Sequence, residues 1–166
     1  MKIRRLGAAN ASRALRRFGI VVIGIVSFTL PPRLLAVLGG SEASVQTDQV
    51  HMQAGLRNTR GAGYTVHELR APTGTVVREY ASGGTVFGVA WEGPWPPDMQ
   101  QLLGSYFEPY KQALEAQSQN GGHGRRPVHV ELPGLVVNVS GHPRSFHGQA
   151  FVPEMMPQGV KTEEIQ

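Results

Sequence analysis

Cysteine is missing from all 166 residues. Its absence excludes a disulfide framework, a thiol nucleophile, Cys-ligated zinc, covalent haem attachment and a lipid anchor on a cleavage-site cysteine. A chain without staples must hold by its core, and the 130 residues that follow residue 36 are enough for one domain to do so. A long apolar run is also missing. The longest stretch, Phe18 to Leu30, covers 13 residues, whereas a membrane-spanning helix needs about 20. There is no glycine loop ending in Lys-Ser/Thr, no Gly-x-Ser-x-Gly elbow and no His-Glu-x-x-His. The 21 glycines fall where turns and loops need them.

Acids are missing from the first 36 residues, which carry Lys2, Arg4, Arg5, Arg13, Arg16, Arg17 and Arg33. A basic segment, a short apolar run and then Pro31-Pro32 form the pattern of a secretory signal. Cleavage is expected after Ala36, although Leu34 stands where a small residue is usual. Arg16-Arg17 has no full twin-arginine motif around it, so an ordinary basic region is the expectation, with an uncleaved N-terminal anchor as the alternative. Contact with a membrane is then expected only in transit. From residue 37 onward nine cations face 12 acids, a formal charge of −3 in place of the +4 of the whole chain. Such a product lacks the basic footprint that phosphate-backbone binding needs, so nucleic acid is excluded as an expected partner.

Residues 37–62 read as a short helix or a linker, with Val45, Met52 and Leu56 near helical spacing after Ser44, a candidate N-cap. A single domain is expected over 63–152. Strand patterns cover 64–69, 75–80 and 85–91, with tight turns at Ala71-Pro72-Thr73-Gly74 and Ser82-Gly83-Gly84. Alternation places Phe87, Val89 and Trp91 on one face. Asp98 is a candidate N-cap for a helix whose apolar stripe is Met99, Leu102, Leu103, Tyr106, Phe107, Tyr110 and Leu114. Pro109 is expected to kink it or divide it near Gly104-Ser105. Residues 118–126 read as a polar glycine-rich loop. Further strands are expected over 128–132, 135–139 and 145–152, and residues 153–166 as a loosely attached tail. The expected fold is α+β: an antiparallel sheet of about six strands, three before and three after one main, kinked helix packed on one face.

Several pieces carry a family likeness. They are Tyr64-Thr65-Val66-His67-Glu68, Gly74-Thr75-Val76-Val77-Arg78-Glu79-Tyr80 and Val86-Phe87-Gly88-Val89-Ala90-Trp91-Glu92-Gly93-Pro94. Leu102 to Phe107, Gly141-His142-Pro143-Arg144-Ser145-Phe146 and Pro157-Gln158-Gly159-Val160 add to them. Together they resemble the bacterial exported family catalogued as domain of unknown function 2844. The resemblance implies a bacterial exported product, periplasmic or secreted, and supplies no activity.

Candidate site residues are few. Arg78 and Tyr80 share a face that Glu79 does not, so Arg78 is a candidate for an anionic group or for pairing with Glu68 across the strands. Trp91 is expected under the helix. Trp95, held between Pro94 and Pro96, is the candidate for an exposed contact, with Arg144 as a further contributor. No catalytic residue, metal site or cofactor is assigned. The expected function is a non-enzymatic binding or accessory protein with an envelope or secretion protein as partner. The alternative is a hydrolase or metal-dependent enzyme using His129, His142, His147 or Asp98. Alternation puts His129 and His147 on one non-core face, but no carboxylate cluster accompanies them.

Overall fold

The computed structural model describes residues 38–119 and 127–166. The expected leader and most of the glycine-rich loop lie outside the described residues. The elements run α1 (Val45–His51), β1 (Gly55–Arg60), β2 (Thr65–Arg70), β3 (Val76–Ser82), β4 (Thr85–Gly93), α2 (Met99–Leu103), α3 (Phe107–Gln119), β5 (Val128–Leu132), β6 (Leu135–His142) and β7 (Ser145–Phe151). The strands form one antiparallel sheet in the order β1-β2-β3-β4-β7-β6-β5. The chain winds inward from one edge, crosses by the helices to the other edge, and winds inward again to pair β7 with β4.

The class is α+β, but among the described residues the sheet has seven strands, four before α2 and α3 and three after. The added strand, β1, lies inside the segment expected to be helix or linker. Its sequence Leu56-Arg57-Asn58-Thr59-Arg60 shows no apolar alternation because it is an exposed edge strand, and charged side chains suit an edge. Ser44 is the N-cap residue of α1 but makes no side-chain capping bond. Leu56, expected to continue that helix, lies in β1.

The helix stripe covers one face. Leu102, Leu103 and Tyr110 pack with Leu69, Val77, Val89, Trp91, Val130, Val137 and Ala150, while Tyr106, Phe107 and Leu114 are half-buried at the margin. Division of the helix falls at Gly104, whose φ of +53° suits glycine and stops α2. Pro109 breaks nothing. It is the third residue of α3, in a first turn where N–H groups have no partner within the helix. Ahead of α1, residues 38–42 run along the start of β4, with Leu38 N–H bonded to Leu102 O (3.1 Å) and Gly39 N–H to Val86 O (2.8 Å).

Strict alternation fails in β4. Val86, Val89 and Trp91 face the helices, but Phe87 faces the other way with Tyr80 and Phe151. The cause is a β-bulge: the register steps from Tyr80↔Gly88 to Ala81↔Val86, leaving Phe87 as the extra residue.

The opposite face carries a second apolar cluster, and the segment after β7 covers it. Ile165 is fully buried against Phe87 and Phe151, with Met156 and Val160 packed beside it. A Cβ on Gly88 would meet Ile165 Cδ1 at 3.1 Å, so glycine leaves room for that side chain. The tail is therefore seated on the sheet rather than loosely attached. One isoleucine in a polar stretch has no periodicity to announce it.

Candidate functional site

On the face away from the helices, strand register lines up polar side chains from edge to edge. One row runs Arg57, Glu68, Arg78, Ala90, Gln149, Asn138, His129. The next runs Arg70, Val76, Glu92, His147, Ser140. The tail leaves these rows open as two clefts. One, of about 560 Å³, is lined by Tyr64, Glu68, Arg78, Tyr80, Glu92 and Gln166 among others. The second, of about 380 Å³, is lined by Glu92, Asn138, Ser140, His147, Gln149 and Gln166 among others. Glu92 and Gln166 border both.

Arg78 is the hub of the first cleft. Its Nε donates to Glu68 Oε2 (3.1 Å), its Nη2 to Glu92 Oε1 (2.7 Å) and its Nη1 to the main-chain oxygen of Gln166 (3.1 Å). Pairing with Glu68 is as expected. Burial alone pushes the Glu68 carboxyl up, yet the bonds from Arg78 and Arg70 outweigh it and hold the group below its ordinary value. Desolvation likewise favours a lower value for Arg78, and the bonds to Glu92 and Glu68 reverse it. Tyr80 is raised by burial. Its hydroxyl donates to Gln166 O (2.8 Å) and accepts from Gln166 N–H (3.0 Å).

The second cleft holds further hydrogen-bonding groups. Ser140 Oγ and His147 Nε2 lie 2.6 Å apart, and Asn138 Oδ1 lies 2.6 Å from Nδ1 of its cross-strand neighbour His129. His129 and His147 do share the non-core face. His142 sits at the end of β6, paired with Ser145, with Nδ1 3.2 Å from Pro143 O. Among the described residues no three His, Asp or Glu side chains gather as metal ligands.

The three candidate binding residues are not brought together. Trp95 is 59% exposed; its carbonyl accepts from the Thr75 hydroxyl (2.8 Å), and its cavity of about 240 Å³ includes His51, Met52, Ala71 and Pro97. Arg144 lines a different hollow with Pro94 and Phe146, at a φ of +69°. Trp91 is buried under the helices. Asp98 accepts from the N–H groups of Gln100 (2.9 Å) and Gln101 (3.1 Å), the N-cap role expected of it.

A polar cluster on the helix side escaped the sequence reading. Asp48 on α1 and Glu79 on β3 are each 1% exposed, and the Asp48 carboxyl lies close enough to act on Glu79 electrostatically. Gln101 Nε2 donates to Asp48 Oδ1 (2.7 Å). Burial, and then the Asp48 charge, push the Glu79 carboxyl up to about 9. Beside them His67 bridges Asn58 (2.9 Å) and Glu42 (2.8 Å). The signal was available: Glu79 is in phase with Val77 on the core face, and Asp48 lies three residues from Val45 and four from Met52. Asn138 and Ser140, and His147 and Gln149, likewise alternate in phase as polar pairs, a signal that went unread.

No helix among the described residues is long and apolar enough to cross a membrane. No curated protein and no solved structure matches the chain. A family model described as protein of unknown function (DUF2844) matches residues 35–165, and with that span, which takes in every strand and helix described above, the chain belongs to this family.

Proposed function

We propose that this chain is a bacterial exported product that works without catalysis, as a periplasmic or secreted binding or accessory protein for an envelope or secretion partner. The observation that carries the reading is the pair of polar rows across the open sheet face, with their two adjoining clefts. Asn138, Gln149, Ser140 and His147 offer both donors and acceptors there, which suits recognition of polar groups. The basic leader and short apolar run support export, with cleavage near Ala36.

Two measurements test it. N-terminal sequencing of the exported product is expected to begin near Val37; an intact Met1 in a membrane pellet counts for the anchored form instead. Crosslinking and capture with the tagged exported form is expected to retain a defined partner. That partner should be lost with Asn138→Ala/Gln149→Ala and kept with Gln117→Ala on α3. Equal capture by all three forms rejects the polar face as the binding surface.

A second reading, a hydrolase, is favoured by one contact: Ser140 Oγ to His147 Nε2 at 2.6 Å, with Glu92 opposite His147 on β4. This is a nucleophile–base arrangement. Against it, the Glu92 carboxylate is engaged by Arg78 rather than bonded to His147. Of the other candidates, Asp98 is occupied as a cap and the His142 ring contacts its neighbour's carbonyl, Pro143 O. Hydrolysis of p-nitrophenyl esters above the buffer rate, lost in Ser140→Ala, is the result this reading requires.

A further inference from the structure

The seat of residues 164–166 has the features of a recognition site. Ile165 is fully buried beside Gly88, Phe87 and Phe151. On one side, the Tyr64 hydroxyl donates to Glu164 Oε2 (3.0 Å). On the other, Tyr80 and Arg78 grip Gln166 by its main-chain N–H and oxygen, with no use of its side chain. The chemistry being read is therefore an acidic residue, an aliphatic residue and then any residue with an N–H.

The grip on this segment is also slight. Its own backbone bonds are local, from Glu164 N–H to Lys161 O (3.0 Å) and from Ile165 N–H to Thr162 O (3.2 Å). Among the described residues, none of its groups joins a strand ladder. One fully buried side chain and a few side-chain bonds hold it, the profile of an element that opens without unfolding the whole. Opening uncovers Tyr64, Tyr80 and Phe87, whose ring centroids lie 6.0–6.3 Å apart, as an aromatic floor rimmed by Arg78 and Glu68. Apolar floors with a few placed polar groups are what ligand pockets are made of. The open surface continues past Gln166 toward Asn138 and Gln149.

We propose that this half of the sheet face is a peptide groove, and that residues 164–166 are an exchangeable occupant which a segment of a partner protein replaces. The assignment rests on the binding-protein reading above and names the partner's chemistry: an acidic–aliphatic pair leaving a single 3-10 turn. A longer segment also runs along the second cleft, which Gln166 only borders. This gives a partner an advantage over the tethered occupant. Tethering sets the tail's effective concentration at roughly millimolar, so a free peptide of the same sequence competes poorly with the wild type.

The test uses the full chain and a fluorescein-labelled peptide with the sequence of residues 157–166, followed by polarisation. Ile165→Asp removes the internal plug and is expected to bind the peptide at least about tenfold more tightly than wild type. A peptide carrying Asp in place of its isoleucine is expected not to bind, and adding Tyr80→Phe to Ile165→Asp should weaken binding several-fold. An Ile165→Asp protein that melts cooperatively yet shows no saturable binding up to about 1 mM peptide overturns the proposal. If that variant does not fold, amide exchange on the wild type decides. Amides of residues 164–166 should exchange at least about 100-fold faster than those of β4, and equal rates overturn the proposal. A wild type that dimerises with exchanged tails assigns the groove to a second copy, and also overturns it. Peptide failure alongside capture that still depends on Asn138 and Gln149 sinks the groove alone and leaves the binding-protein reading standing.

Discussion

The two faces of the sheet solve the same problem differently. On the helix face, α1, α2 and α3 exclude water from nearly every side chain, and the polar groups caught there must adapt. Glu79 keeps its proton next to Asp48 because an unpaired buried charge costs far more than a neutral carboxyl. On the tail face the cover is partial, and Glu68, Arg78 and Glu92 are paired at its rim. Full burial changes a group's protonation state, while half-burial selects a partner for it. Core cohesion therefore lives on the helix face, and exchangeable polar contacts live on the other.

Leu103→Ala should break the helix face outright. Leu103 is fully buried in the main cluster, so its truncation is expected to cost about 2–5 kcal/mol. A guanidinium midpoint that does not move would sink the packing described here.

The buried carboxyl pair predicts an unusual pH profile. Glu79 holds its proton up to about 9 in the folded state, against an ordinary value of 4.5. Between those limits the unfolded chain binds fewer protons than the native one, so this group's contribution falls as pH rises through that window. Its slope is at most about 1.4 kcal/mol per pH unit. Urea midpoints measured from pH 5 to 9 should decline, and Glu79→Gln should flatten the decline. A wild-type profile matching that of the variant would refute the raised Glu79 carboxyl.

Ile165→Ala sharpens the comparison, because Ile165 is as fully buried as Leu103. If the tail opens on its own, the loss is capped by the free energy of tail docking, and a cost below about 2 kcal/mol is expected despite the usual 2–5 kcal/mol for such a truncation. A loss equal to that of Leu103→Ala would make the two faces one cooperative unit. The smallest effect belongs to Trp95→Ala. With Trp95 59% exposed and anchored only through its carbonyl, a change within about 0.5 kcal/mol is expected. A large drop in melting temperature would mean that the ring seals the core after all.

Local pattern was enough to locate six strands, the Asp98 cap and the break at Gly104, since each is written in near neighbours: alternation, a side-chain acceptor before a stripe, a glycine at its interruption. The bulge at Phe87 was hidden because alternation assumes an unbroken ladder. Arg57, Asn58, Thr59 and Arg60 carried no strand signal because an edge strand with little burial needs none. Of the candidate site, Arg78 and its pairing with Glu68 were legible from alternation. Its union with Glu92 and Gln166 was not, because Arg78 and Gln166 are 88 positions apart in the chain.

By itself, the sequence determined the class of fold, the strand and helix order along most of the chain, and the family likeness, all of which rest on short-range periodicity and on motifs in continuous stretches. Tertiary structure alone decided that β7 closes on β4, that Asp48 meets Glu79 under the helices, and that Ile165 returns to cover the second face. Those contacts join segments far apart in the chain, and water exclusion, which sets both the Glu79 proton and the seat of the tail, exists only once the layers have packed.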